Sequence, residues 1–286
     1  MMKIIVLTLA NDEICVCGRC INEGRKSSYT PMVKSVRETW GAADIEGIKV
    51  YYIYGHRQGI EFPSDSKRIA TTEKYWPDGG AEDGFEPKIV NSKRHPFAIE
   101  DCIYSDTPEG RENIYYKTID GFEWLLKNED FDYILRTNCG TYVDLQMLKD
   151  NLKNIGILDN IYGGNPNVYD NRHNPHQPSQ IKFASGSAFL VSRNLVKDIV
   201  ENREEVDLVC SPYASRCIGD DVTFAKRFLY EKNANYLFWE KQDIWEIEQV
   251  PHLDQNKIQY YFRHTINPEL MYAVHDMRNK KRAEQR

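Results

Sequence analysis

Apolar residues along this chain follow two patterns, short continuous runs and runs with helical spacing. Residues 3–10 and 48–54 are continuous runs rich in Ile, Val, Leu and Tyr, which is typical of buried strands in a parallel sheet. Between them, Met32, Val36 and Trp40 lie four residues apart, so they share one face of a predicted helix. Strands that alternate with helices in this way predict an α/β fold, with a mainly parallel central sheet that has helices on both faces.

Capping residues and proline mark where the predicted helices begin. Thr30 before Pro31, Thr107 before Pro108, and Asp144 are each predicted to cap a helix. Later strands are predicted at 160–164, 181–191, 235–239 and 258–263, a loop at 168–179, and helices at 193–202, after 219, and at 268–286. An irregular excursion is expected at 58–91, where Gly, Pro, Asp and Ser are frequent.

The composition excludes several classes of function. The chain has 286 residues, of which 41% are hydrophobic and 28% charged, and a net charge of −6, so no overall field attracts nucleic acid. No apolar run is long enough to span a membrane. The apolar residues 4–7 lead into Asp12 and Glu13 without a cleavage site, so they indicate a first strand and not a signal peptide. We therefore expect a cytoplasmic protein without a membrane anchor in this chain.

Three of the seven cysteines cluster at Cys15, Cys17 and Cys20. Their spacing resembles half of a metal site, but no second cluster completes it. Free thiols in a reducing compartment are the favoured interpretation, with a metal at this cluster as the alternative.

The strand predicted at 133–135 leads into a polar loop, Thr137-Asn138-Cys139-Gly140. Ligands of open α/β sheets bind beyond the carboxyl ends of the strands, so this loop is a candidate binding site. From the pattern alone, a plain turn is the favoured alternative.

Four segments in a fixed order resemble the β1,3-galactosyltransferase and Fringe group of inverting glycosyltransferases. They are V-R-E-T-W at 36–40, N-I-Y-Y-K-T at 113–118, Y-I-L-R-T at 133–137, and A-S-G-S-A-F-L-V-S at 184–192 followed by G-D-D-V at 219–222. The resemblance implies a GT-A fold in which residues 1–286 form one domain, with a nucleotide-sugar half at 1–145 and an acceptor half at 146–286.

The chain departs from this family in the polar loop Thr137-Asn138-Cys139-Gly140. Family members carry aspartates there that hold a divalent cation on the donor diphosphate, whereas this chain has Asn138-Cys139-Gly140. Asn is a weak ligand for Mn²⁺ or Mg²⁺, and Cys is too soft. One solution is a cation held by Asn138, Asp144 or His264. The other, which we favour slightly, is metal-independent, with Arg or Lys neutralising the diphosphate. The candidates for this second role are Arg37, Lys117, Arg136 and Arg263.

The resemblance also assigns the catalytic residues. Asp221, with Asp220 beside it at a helix start, matches the family's general base, and a pair of helix caps is the alternative. Gly186 is predicted to let the backbone approach a sugar or phosphate, with a β-bulge as the alternative. The donor, a UDP-sugar, is expected to contact Thr8, Ala10, Arg37, Lys117, Arg136, Thr137, Asn138 and Gly186.

The sequence thus predicts an inverting glycosyltransferase that uses a nucleotide-sugar donor and a glycan acceptor. The alternative is a catalytically inactive protein of the same fold that binds a glycan or a nucleotide-sugar.

Overall fold

The computed structural model describes residues 1–11, 29–56, 60–64, 94–109, 113–170, 180–203, 220–262 and 267–284. The predictions outside these ranges concern the cluster Cys15, Cys17 and Cys20, the diphosphate-binding candidate Arg263, the metal-ligand candidate His264, and most of the excursion at 58–91.

The described strands form a large and a small sheet. They are β1 Ile4–Leu9, β2 Ile48–Tyr54, β3 Phe97–Ile99, β4 Cys102–Tyr104, β5 Tyr133–Asn138, β6 Thr141–Val143, β7 Ile161–Asp170, β8 Gln180–Ser192, β9 Asn235–Phe238, β10 Lys241–Ile244 and β11 Gln259–Phe262. The large sheet has the order β3-β4-β2-β1-β5-β8-β7-β9, and the small one has the order β10-β11-β6.

Strand direction in the large sheet is mainly parallel. Strands β4, β2, β1 and β5 run parallel to one another, as do β7 and β9. Strand β8 is antiparallel to both of its neighbours, β5 and β7, and β3 is antiparallel to β4. The reversed β8 therefore enters the sheet from the edge at which β1, β2 and β5 end.

Helices cover both faces of the large sheet. They are α1 Thr30–Glu38, α2 Ile114–Asn128, α3 Leu145–Ile155, α4 Arg193–Glu201, α5 Asp220–Ala225, which continues as a π-helix at Lys226–Glu231, and α6 Pro268–Glu284. Short 3₁₀ helices lie at Trp40–Ala42 and Ile247–His252.

The buried apolar residues form two cores, one on each face. Ile4 and Val6 of β1 point into the core that contains α1, α3 and α6. Ile5 and Leu7 point into the core that contains α2, α4 and α5. This alternation is what a strand buried on both faces requires. The predicted α/β fold, with a mainly parallel sheet and helices on both faces, is confirmed.

Several local predictions were wrong. Thr30 is the first residue of α1, with Tyr29 at the cap position and no side-chain cap bond. Thr107 does not open a helix, because α2 begins at Ile114 and the Thr107 hydroxyl donates instead to Asp120 Oδ2 at 3.3 Å. The loop predicted at 168–179 begins later, because β7 continues to Asp170.

The cap at Asp144 is confirmed, since its carboxylate accepts from Met147 N at 2.9 Å. None of the helices in the described ranges combines the length and the apolar character needed to cross a membrane.

Candidate active site

The carboxyl ends of three neighbouring strands meet at one edge of the large sheet. Leu9 at the end of β1 is paired with Ile53 of β2 and with Asn138 of β5. Strand β8 crosses the same edge, since Thr137 pairs with Ala188 and the segment Ser185-Gly186-Ser187 lies just beyond. Residues from distant parts of the sequence, Ala10, Asn138 and Gly186, are therefore brought to this edge, which we call the active edge.

A β-bulge distorts β8 at the active edge. Gly164 of β7 pairs with Phe189, but Pro166 pairs with Ala184, so residues 185–188 stand opposite Asn165 alone. Extra residues in one strand bend it locally and leave backbone groups unpaired with the neighbouring strand. The bulge that was the alternative prediction for this segment is confirmed, and it frees the Gly186 amide to bind a side chain.

The partner of the Gly186 amide is Asp221, at the start of α5. Gly186 N donates to Asp221 Oδ2 at 2.8 Å, and Val222 N donates to Asp221 Oδ1 at 3.0 Å. A Cβ on residue 186 would lie 3.0 Å from Asp221 Oδ2. Only glycine lets the backbone come this close without displacing the carboxylate. The structure thus places a carboxylate of the protein against Gly186, and contact with a sugar or phosphate stays a prediction.

The environment of Asp221 makes its carboxylate more basic than usual. Burial and the neighbouring Asp220 charge raise its pKa to about 6, and the Gly186 amide and the Arg136 charge oppose the rise. The residue is half-buried, so protons can still reach it from solvent. A carboxylate with a pKa near neutrality is suited to general base catalysis.

Asp220 points the other way, into a buried ion pair with Arg136 of β5. Arg136 Nη2 donates to Asp220 Oδ2, Arg136 Nη1 donates to Gly186 O, and the guanidinium lies over the Phe189 ring at 5.3 Å. The Arg136 side chain is only 2% exposed. Its charge is thus neutralised inside the protein, and it supports the Asp221–Gly186 contact from behind.

Lys117 of α2 is also buried in an ion pair. Its Nζ donates to Glu109 Oε2 at 2.6 Å and to Ala10 O at 3.0 Å. Glu109 in turn accepts from Gly55 N at 2.6 Å. This arrangement ties together the ends of β1 and β2 and the helix α2 at the active edge. Burial raises the pKa of Asp220, and the charges of Arg136 and, more weakly, Lys117 oppose this rise.

Three predicted donor-binding residues of β1 and β5, Thr8, Thr137 and Asn138, make their contacts within the protein at the active edge. Thr8 is fully buried beside Thr137, and its Oγ1 has no hydrogen-bond partner among the described residues. Thr137 Oγ1 donates to Ser187 O at 3.0 Å. Asn138 Oδ1 accepts from Gly140 N at 3.1 Å and from Thr141 Oγ1 at 2.8 Å, so the Asn138 side chain holds its own turn together.

The candidate metal ligands do not converge in the described part of the chain. Asn138 Oδ1 already accepts two hydrogen bonds, and Asp144 is wrong as a candidate, because it is buried between Arg278 and Arg282 and also caps α3. Among the described residues, no group of three or more His, Cys, Asp or Glu could hold a metal ion. A metal-binding role for Asn138 or His264 therefore stays a prediction.

Arg37 belongs to a separate cluster on α1. Its guanidinium donates to both oxygens of Asp101, with Nη2 at 2.9 Å from Oδ1, and lies over the Tyr52 ring at 3.8 Å. Its Nη2 also lies 3.0 Å from the Cys102 sulfur. This Asp101 pair occupies the guanidinium that the resemblance would place on a diphosphate.

The sequence analysis did not predict a buried series of side-chain hydrogen bonds behind the active edge. Trp239 Nε1 donates to Gln259 Oε1 at 2.9 Å, and Gln259 Nε2 donates to Ser187 Oγ at 2.7 Å. Ser187 Oγ lies 3.0 Å from Ser185 Oγ. These hydrogen bonds fix the bulge of β8 to β11 of the small sheet. The signal that could have pointed to them is Gln259 at the start of the otherwise aromatic strand β11, because a buried amide needs partners.

Comparison with known proteins gives weak similarities. No family model matches this chain, and no curated protein matches it. The chain is similar to a crystal structure of a glycosyltransferase involved in the glycosylation of the major capsid of PBCV-1, with a TM-score of 0.43 and 9% identity over 95% of this chain and 98% of that one. It is also similar to HddC from Yersinia pseudotuberculosis, with a TM-score of 0.37 and 11% identity over 84% and 90%. Similarities of this size do not establish a function, so the proposal below rests on the site.

Proposed function

We propose that this protein is an inverting glycosyltransferase that moves a sugar from a UDP-sugar to a hydroxyl of a glycan, with Asp221 as the general base. One observation carries the proposal. A half-buried carboxylate, with its pKa raised to about 6, is held by the Gly186 amide at the edge where β1, β2 and β5 end. In an open α/β sheet, ligands bind at this edge.

The base lies next to the loop that is proposed to hold the donor. Gly186 binds Asp221, and the carbonyl of the next residue, Ser187, accepts from Thr137 and Thr141, which flank the Asn138 turn. A donor sugar beyond β5 would therefore lie beside an acceptor hydroxyl at Asp221. Holding both reactants in line converts a bimolecular step into an effectively unimolecular one.

The proposed reaction is a single displacement. The acceptor hydroxyl gives its proton to an Asp221 oxygen while the hydroxyl oxygen forms a bond to the anomeric carbon. On the opposite side, the bond from that carbon to the diphosphate oxygen breaks, and its electron pair leaves with the diphosphate. The anomeric configuration is inverted, and Asp221, which is half-buried and not fully enclosed, then releases the proton to solvent.

The proposed reaction also requires a group that neutralises the negative charge on the departing diphosphate. The described candidates Arg37, Lys117 and Arg136 are each paired with a carboxylate. We assign the contact to Lys117, because its ammonium has three N–H donors, two of which bind Glu109 and Ala10 at the end of β1. Whether Mn²⁺ adds to this is a question for the assay below.

The test is release of UDP from a panel of UDP-sugars, with and without Mn²⁺. We expect the wild-type protein to hydrolyse at least one donor slowly and Asp221→Asn to lose about 10²–10⁴-fold of that rate. Asp150→Asn, which changes an exposed carboxylate on α3, serves as the matched control and should match wild type. Binding of a glycan without turnover of any donor would instead support the inactive binding protein.

A further inference from the structure

One large apolar side chain at the active edge is left exposed. Phe238 is the last residue of β9 and is 56% exposed. It pairs with Gly164 of β7, which pairs in turn with Phe189 of β8. Since neighbouring strands are about 4.8 Å apart, Phe238 lies about 10 Å along the sheet from β8.

Phe238 points to the same face of the sheet as Asp221. Leu237 packs in the core of α1 and α6, whereas Tyr236 packs in the core of α2, α4 and α5. Alternate residues of a strand share a face, so Phe238 projects on the Tyr236 side. Asp221 is the second residue of α5, whose Phe224 lies in that same core.

The backbone that carries Phe238 is fixed relative to the base. The next residue, Trp239, is buried, and its indole is bound through Gln259 to Ser187, which follows the glycine that holds Asp221. In addition, the Tyr236 hydroxyl donates to Gly164 O at 2.9 Å. An exposed ring on a backbone held this firmly makes a rigid platform.

We propose that the Phe238 ring stacks against a sugar ring of the glycan that is bound at the active edge. A pyranose presents C–H groups on its face and hydroxyls on its rim, so an aromatic ring removes its apolar face from water and leaves the rim free for polar partners. The ring lies two strands from β8 and on the face of the sheet that carries Asp221, which is the proposed acceptor side. Calling this glycan the acceptor rests on the proposed function.

Binding of the labelled 286-residue chain to an array of neutral oligosaccharides, with UDP present, tests the platform without requiring turnover. The variants are Phe238→Ala, Phe238→Tyr and the control Ile157→Ala. Ile157 is equally exposed, at 56%, but follows α3 near the start of β5, because Leu158 N binds the Tyr133 hydroxyl there. We expect Phe238→Ala to weaken glycan binding about tenfold. Phe238→Tyr and Ile157→Ala should bind as wild type does.

The proposed stacking role of Phe238 is refuted if wild type binds no glycan or if Phe238→Ala binds glycan like wild type. It is also refuted if Ile157→Ala weakens glycan binding as much as Phe238→Ala does. Its failure is distinguishable from failure of the proposed function. Phe238-dependent glycan binding without hydrolysis of any UDP-sugar would refute the proposed transfer reaction and support the stacking role of Phe238. Hydrolysis that depends on Asp221, with glycan binding unchanged in Phe238→Ala, would support the transfer reaction and refute the stacking role.

Discussion

Adding one methyl group at residue 186 tests how the Asp221 carboxylate, the proposed base, is held. In Gly186→Ala the new Cβ would lie 3.0 Å from Asp221 Oδ2, 3.3 Å from Asp221 Cγ and 3.5 Å from Arg136 Nη1. The guanidinium is buried and bonded, so the Asp221 carboxylate has to move, and its bond from the Gly186 amide weakens. A hydrogen bond to a charged group contributes about 1.5–3 kcal/mol.

The expected result is a lower rate and a shifted pH profile. Displacing a catalytic group by part of an ångström should lower kcat for UDP-sugar hydrolysis by about tenfold to 10²-fold. Because the Gly186 amide stabilises the ionised carboxylate, weakening this bond should raise the Asp221 pKa above its value of about 6. The assay is initial UDP release from the best donor across acidic and neutral pH.

Asp150→Asn, which changes an exposed carboxylate on α3, is the control. This variant should retain the wild-type rate and pH profile. If Gly186→Ala also retains both, or if Asp150→Asn loses as much activity, the role of the Asp221–Gly186 contact is refuted.

Two further predictions concern the buried charges. Lys117→Met should destabilise the protein by about 3–5 kcal/mol, because Glu109 is left buried without its partner. Lys117→Met combined with Glu109→Gln should cost less than the sum of the single changes in urea unfolding, and additive costs would argue against the pair. Asp220→Asn removes the like charge beside Asp221, so the acid limb of the pH–rate profile should move below pH 6. The same change should lower Tm, because Arg136 loses its counter-charge. An upward shift of that limb would contradict the arrangement.

The fold was largely predictable because its signals are local. Strands such as Ile48–Tyr54 and helices such as Pro268–Glu284 carry long apolar runs or clear start signals. Strands β3 and β4 were missed because each has only three residues, and β10 was missed because three of its four residues, Lys241 to Asp243, are polar. The cap at Thr107 failed because its hydroxyl found a tertiary partner in Asp120.

Several of the predicted site residues lie together at the active edge, but the contacts between them were not predictable from the sequence. Asp221 and Gly186 were both singled out, yet the bond between them joins residues 35 positions apart and depends on the bulge in β8. The carboxylates that pair with the candidate cations, Glu109 and Asp101, were not foreseen either. Ion pairs across a sheet are set by topology, which local patterns do not encode.

The pH dependence of UDP-sugar turnover by the wild-type protein tests the central claim most directly. If the Asp221 carboxylate is the base, kcat/KM should fall about tenfold per pH unit below a midpoint near pH 6, and Asp221→Asn should abolish that turnover. A rate that does not change through this range, or an Asp221→Asn variant as active as wild type, would contradict the account.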